Sequence, residues 1–269
     1  MTSNNERTER FQATGPLTAR IFSASGDVMI EASHGSAIEV TLIASGRDVE
    51  HQLSVASIEF DGGKNVLNVS TRTHDTLGTL QGFKSVMKKS SWTDLGHHDP
   101  NVHVLLPEGA TVEVTTASGE TQIAGALDKV TVTSASGGVC VDDEVGALEV
   151  RTASGDVTSA RVRERLTCHS ASGSVRCDGA GSETRVRTAS GNVTLAVASS
   201  SDISIRTVSG NVLVAVASGL DVDVDATSIS GHLSSTMPLD STKGGPASTD
   251  AVSISAKTVS GNVSVKTAA

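Results

Sequence analysis

Apolar and polar residues alternate along most of this chain in short runs that return with a nearly constant period. Each run is centred on a Ser-Gly pair, which recurs every 18 residues from Ser118 to Ser190 and then at intervals of 19, 21 and 30 residues up to Ser260. An interval near 18 residues is too short for a helical repeat and is typical of one coil of a β-solenoid. The pattern predicts an all-β fold, a single-stranded β-helix.

Several positions of each repeat indicate which side chains point inward. The residues six and four before the serine, and three and five after it, are mostly aliphatic, and alternate residues of a strand share one face. Cys168 occupies one of these positions and is expected in the interior in place of a valine. A hydroxyl residue stands two before every serine and predicts a buried column at the bend, each oxygen bonding a neighbour or the backbone: Thr116, Ser134, Thr152, Ser170, Thr188, Thr207, Ser228 and Thr258.

The regularity of the pattern divides the chain into three parts. Residues 1–16 are expected to be a disordered tail, residues 17–101 an N-terminal β cap with an irregular loop at 74–100, and residues 102–269 the β-solenoid repeats. A stretch rich in Pro, Gly, Ser and Thr, residues 237–247, predicts an inserted loop near the last repeat.

The two ends of such a stack differ in sequence. Open ends expose unpaired backbone and need to be capped or paired. In the cap, Ile58 to Val69 alternate around an Asp-Gly-Gly-Lys turn and predict an antiparallel hairpin. The last repeat, Ile254 to Val265, ends near the chain terminus without an evident cap. Self-association through the ends is therefore expected.

The irregular loop carries apolar and basic residues close together. Two interpretations remain open: a flexible surface loop, or a short amphipathic helix that docks on a partner or on an anionic membrane surface. The candidate docking residues are Phe83, Lys84, Met87, Lys88, Lys89 and Trp92.

Charge and composition narrow the function classes. The formal net charge is −9, which argues against general nucleic-acid binding, because that binding depends on a basic surface. The N-terminus lacks the apolar run of a secretory signal, and no stretch of about 18 apolar residues is present. Cys140, Cys168 and Cys177 are odd in number and lack a metal-ligand spacing. The expected location is the cytoplasm, with no metal or cofactor.

One outward column is basic despite the acidic total. Its basic members lie three residues before the serine of their repeats: Arg151, His169, Arg187, Arg206 and Lys257. Stacked one repeat per step, they would form a stripe able to engage a polyanion or anionic lipid head groups. The alternative is an ordinary solvated face whose charge is offset by Glu113 and Glu149 in the neighbouring column.

Three carboxylates, Asp221, Asp223 and Asp225, raise the question of calcium binding. They alternate with Val222 and Val224. They are therefore interpreted as the outward face of a strand.

Three motifs resemble a known bacterial family. They are Ser25-Gly26-Asp27-Val28, Leu106-Pro107-Glu108-Gly109-Ala110, and the serial Thr-Ala-Ser-Gly-Asp/Asn-Val turns. They are similar to the β-strand-repeat proteins called "putative adhesins", a domain of unknown function of the toastrack type. The resemblance implies a single-stranded β-helix and, in related members, an association with envelope-stress systems. It supplies no catalytic residues.

The function expected from these observations is a non-enzymatic interaction scaffold, in envelope stress if the resemblance extends that far. Its partners would be a protein, a second copy of the chain or a polyanion. An exported surface adhesin is the alternative. A polysaccharide-active enzyme is disfavoured, because aromatic platforms are missing and no outward column concentrates carboxylates on adjoining repeats.

Overall fold

The structure, a computed structural model, describes residues 5–46, 48–72, 99–236 and 251–268. These residues form a continuous hydrogen-bonded set of 21 strands and one short helix, α1 (Val49–Val55), so the prediction of an all-β chain is confirmed. The strands are β1 (Glu6–Gln12), β2 (Thr18–Ser23), β3 (Val28–Ser33), β4 (Ala37–Ile43), β5 (Ser57–Asp61), β6 (Val66–Ser70), β7 (Asn101–Pro107), β8 (Thr111–Thr116), β9 (Thr121–Ala124), β10 (Leu127–Ser134), β11 (Val139–Thr152), β12 (Val157–Ser170), β13 (Val175–Cys177), β14 (Glu183–Ser190), β15 (Val193–Val197), β16 (Ser201–Ser209), β17 (Val212–Val216), β18 (Asp221–Ser230), β19 (Leu233–Ser235), β20 (Ala251–Ser260) and β21 (Val263–Thr267).

The strands lie in two ladders, and each repeat contributes one strand to each ladder on either side of its Ser-Gly bend. The first ladder runs β5-β6-β2-β8-β10-β11-β12-β14-β16-β20-β18. The second runs β1-β4-β7-β3-β9-β11-β12-β13-β15-β17-β21-β19. The long strands β11 and β12 contribute to both. Neighbours are parallel except in the pairs β5–β6, β1–β4 and β4–β7.

The core consists of the aliphatic columns read from the sequence. Val132, Val150, Cys168 and Val186 stand side by side in consecutive strands of the first ladder, and each is fully buried. The interior position of Cys168 is confirmed, and burial raises the pKa of its thiol to about 12. Each repeat thus adds the same small set of aliphatic side chains to one continuous core.

The bend glycines are required by close approach of neighbouring backbones. A Cβ at Gly155 would overlap the carbonyl oxygen of Gly137, the equivalent residue of the preceding repeat. None of the glycines at the bends of the repeats has a positive φ: Gly119, Gly137, Gly155, Gly173, Gly191, Gly210, Gly231 and Gly261. Glycine therefore serves here for its lack of a side chain.

The buried hydroxyl column is only partly hydrogen-bonded as expected. The hydroxyl oxygens of Thr152 and Ser170 accept hydrogen bonds from the N–H groups of Gly155 and Gly173, at 2.9 and 2.7 Å. The expectation is wrong for three adjacent members, whose hydroxyls have no hydrogen-bond partner in the part of the chain that the structure describes: Thr188, Thr207 and Thr258. Their strands continue to the serine of the bend, and the N–H groups of Gly191 and Gly210 donate instead to serine carbonyls of the next repeat.

A second column ties the repeats together on the other side of the bend. The side-chain oxygens of Asn192, Asn211 and Asn262 accept hydrogen bonds from the backbone N–H of the next repeat at 3.0, 3.1 and 2.9 Å. Asp156 does the same for Ser174 at 2.7 Å. Where an Asp or Asn follows the Ser-Gly pair, its side chain therefore joins neighbouring repeats.

The order of the repeats in space differs from their order in the sequence at both ends. The β2/β3 repeat lies between β6/β7 and β8/β9, and the β20/β21 repeat lies between β16/β17 and β18/β19. The expectation that Ile254 to Val265 form the terminal coil is therefore wrong. The last repeat in space is β18/β19.

The N-terminal region contributes more structure than expected. A disordered tail over residues 1–16 is wrong for its described part, because β1 pairs antiparallel with β4 along its whole length. Its side chains alternate between exposed and half-buried positions, without the apolar alternation that reveals a strand, and an ion pair of 2.7 Å joins Arg10 to Glu39. The predicted hairpin is confirmed as β5–β6.

Two sequence predictions fall on residues that the structure does not describe. The candidate docking residues Phe83, Lys84, Met87, Lys88, Lys89 and Trp92 lie outside the described residues, as does the predicted inserted loop at 237–247.

Candidate functional site: a cationic stripe

The five basic residues singled out in the sequence stand in one row on the outward face of the first ladder. The strand register pairs Arg151 with His169, His169 with Arg187, Arg187 with Arg206, and Arg206 with Lys257. Neighbouring strands are about 4.8 Å apart, so the row extends over roughly 19 Å. We call these five residues the cationic stripe.

The stripe is continuous only because of the exchanged repeat order. In the sequence order of the repeats, the residue at this position between Arg206 and Lys257 is Thr227. In the structure, Lys257 lies directly beside Arg206, and Thr227 follows at the outer edge. Five consecutive strands therefore present a basic side chain.

The carboxylates expected to offset the stripe form an ion pair with only one of its members. Glu149 forms an ion pair with Arg151 at 2.7 Å, whereas Glu113 pairs with Arg20 at 3.1 Å. Within the described ranges, Arg187, Arg206 and Lys257 form no ion pair, and all three are exposed. The uncompensated charge is concentrated in the half of the stripe that includes the exchanged repeat.

His169 is the titratable member of the stripe. Burial, followed by the charges of Arg187 and Arg151, lowers the pKa of its imidazole, and Glu149 opposes this effect. His169 is therefore neutral at pH 7, and the permanent charge of the stripe comes from its arginines and lysine.

An apolar row runs beside the stripe at the bend, and sequence reasoning missed it. Val208, Val259 and Ile229 are neighbours in three successive repeats and are 55%, 45% and 78% exposed. They stand one before the serine, where the five preceding repeats have alanine. The change from alanine to larger aliphatic residues is the signal that could have revealed this row.

A concave region lies on the second ladder. A groove of about 560 Å³ is lined by Met29, His103, Cys140 and several carboxylates, among them Asp27 and Glu120. Burial and the neighbouring Asp142 raise the pKa of Cys140 to about 11, so its thiol stays protonated at neutral pH. Among the described residues, no group of His, Cys, Asp and Glu has the arrangement of a metal site. The described lining of the groove thus contains a protonated thiol and no metal-ligand set.

Comparison with known proteins agrees with this architecture. The family model described as Toastrack DUF4097 matches residues 19–266. The chain belongs to this family. The toastrack resemblance seen in the bend motifs is thereby confirmed, and the Toastrack match includes every member of the cationic stripe. No curated protein matches the chain.

The chain is similar to two solved structures from one bacterial strain. A "putative adhesin" from Parabacteroides distasonis ATCC 8503 has 13% identity and a TM-score of 0.52, over 98% of this chain and 97% of that one. A "putative lipid binding protein" from the same strain has 14% identity and a TM-score of 0.46, with the same coverage. At these identities the similarity concerns the fold alone.

The described part of this Toastrack chain contains no helix with the length and apolar character that a membrane crossing needs.

Proposed function

We propose that this Toastrack chain is a non-enzymatic binding protein, a single-stranded β-helix whose cationic stripe holds an extended anionic polymer. The observation that carries the proposal is the row of five basic residues on consecutive strands, three of them without a carboxylate partner among the described residues. A straight row with a constant step suits a linear chain of regularly spaced negative charges better than a compact anion. An adhesin that binds an acidic polysaccharide would present this kind of surface.

A second candidate ligand is an anionic membrane surface. The observation that favours it is the exposed row of Val208, Val259 and Ile229 beside Arg206 and Lys257. Aliphatic side chains next to basic ones can enter the interface of a bilayer while the charges contact head groups. We favour the polymer, because the cationic stripe extends over three further repeats where the neighbouring column has only alanine.

Binding to heparin, a sulfated polysaccharide, tests the proposal. The variant Arg187→Ser/Arg206→Ser/Lys257→Ser should lose most of the affinity for immobilised heparin. The matched control is Arg163→Ser/Arg165→Ser/Arg176→Ser, which changes the net charge equally but removes arginines that are paired with carboxylates. Equal losses in the two variants would show that only net charge matters and would refute the stripe.

The two ligands are separated by a further pair of substitutions. Val208→Ser/Val259→Ser should leave heparin binding unchanged and should weaken sedimentation with phosphatidylglycerol vesicles if the membrane is the ligand. Binding to vesicles but not to heparin by the unaltered protein would overturn the polymer proposal.

Because the pKa of His169 is lowered, its protonation adds charge only in acid, so heparin affinity should rise as the pH falls below about 6.5.

A further inference from the structure

The last repeat in space leaves one end of both ladders unpaired. Within the described ranges, β18 pairs only with β20, and β19 pairs only with β21. The inward residues Val222, Val224 and Ala226 are only half-buried, whereas the residues paired with them in β20, Val252, Ile254 and Ala256, are at most 1% exposed. In β19, Leu233 is 52% exposed. Among the described residues, no strand continues either ladder beyond β18 and β19, and the apolar interior is accessible at this end.

The edge strand differs from its inner neighbour mainly in charge. The inward positions of β18 and β20 match closely, so the two strands are equivalent as core elements. On the outward face, Asp223 and Asp225 of β18 stand where β20 has Ser253 and Ser255. Carboxylates therefore flank the exposed edge at alternate positions.

The carboxylates and the apolar interior at this edge determine which kind of strand could pair with it. A second copy joined through the same end would bring the carboxylates of two β18 strands close together, and like charges on facing strands destabilise the pair. An extended segment in which apolar residues alternate with Lys or Arg would continue the apolar interior and place its cations opposite Asp223 and Asp225. Such addition to a sheet edge satisfies the free backbone groups.

We propose that the β18/β19 edge is a docking site for a partner protein, which adds an extended strand of alternating apolar and basic residues. The β18/β19 edge and the cationic stripe consist of different residues, so the two proposals can be tested separately. The inner strand β20, which lies on β18 in a continuous parallel register, shows how such a strand would fit.

A synthetic peptide of sequence Lys-Val-Lys-Ile-Lys-Ala-Lys-Thr, patterned on β20, serves as the probe. Fluorescence anisotropy should show saturable binding to the full chain, and hydrogen exchange should show protection in residues 221–235. A peptide of the same charge with proline in place of Val and Ala cannot pair its backbone and should not bind. Asp223→Ser/Asp225→Ser should weaken binding about fivefold, since each cross-strand ion pair contributes modestly.

The matched control is Asp202→Ser, which removes an exposed carboxylate from the same outward row two strands inside the edge. It should leave peptide affinity unchanged. The proposal is overturned if the proline peptide binds equally well, if Asp202→Ser weakens binding as much as the edge variant, or if the alternating peptide does not bind. A concentration-dependent dimer of the unaltered protein with protection of residues 221–235 would identify a second copy as the occupant and would also overturn it.

Discussion

The two ends of the stack are built from the same repeat but finished differently. At the N-terminal end, β1, β4 and β5 add antiparallel to the ladders. The helix α1 joins this cap, where the buried side chain of Gln52 bonds the backbone of Ser45 and Arg7 donates to the carbonyl of Ala56 at 2.9 Å. At the other end, β18 and β19 carry no such addition within the described residues.

The difference shows that burial in this fold depends on position in the stack more than on residue type. Val252 and Val222 are the same residue at equivalent positions of paired strands, yet only Val252 is fully buried. An inner repeat pairs with a neighbouring repeat on both sides, whereas the outermost described repeat pairs on one side only. Paired substitutions in inner and outer repeats therefore measure how open the β18/β19 end is.

The largest difference is expected at the bend glycines. Gly155→Ala should cost about 3 kcal/mol of unfolding free energy, because the new Cβ overlaps the carbonyl of Gly137 and the repeat is held from both sides. Gly231→Ala creates the same overlap with Gly261, but the outer repeat can move away, so the cost should be about 1 kcal/mol. Urea denaturation of both variants measures the two costs. Equal costs would mean that the outer repeat is held as firmly as the inner one.

A smaller difference is expected for Val252→Ala and Val222→Ala. The first removes fully buried methyl groups and should cost about 2 kcal/mol, including the cavity it leaves. The second acts on a half-buried side chain and should cost less than about 1 kcal/mol. Thermal denaturation with calorimetry compares the two. If Val222→Ala is as costly as Val252→Ala, the β18/β19 end is covered in solution, and the proposed docking site is not available.

The sequence predicts the content of each repeat well and the order of the repeats poorly. The inward columns and the antiparallel hairpin follow from alternation alone, since side chains on one face of a strand share one environment. The exchanged order of β18 and β20 does not follow, because their inward residues are nearly interchangeable and either strand could pair with β16. Near-identical repeats make alternative stacking orders close in local energy.

The candidate site is affected by the same ambiguity. The basic column is visible in the sequence, but its continuity from Arg206 to Lys257 depends on the stacking order. The release of Arg206 from carboxylates also depends on it, since β20 places Ser255 beside Ser204 in the adjacent column, where β18 would place Asp225. β1 was missed because its alternation is carried by charged residues.

The smallest effect is expected where the N-terminal cap is loosened. Phe11 and Phe60 pack with ring centroids 5.3 Å apart between β1 and β5, and both rings are half-buried. Phe60→Ala should cost about 1 kcal/mol and accelerate amide hydrogen exchange in β1 and β5, with no change in β18 and β19. Phe22→Ala, which removes a half-buried ring from β2, is the control and should not loosen β1. If both substitutions accelerate exchange throughout the chain, the cap unfolds with the whole stack, and the two ends share one cooperative unit.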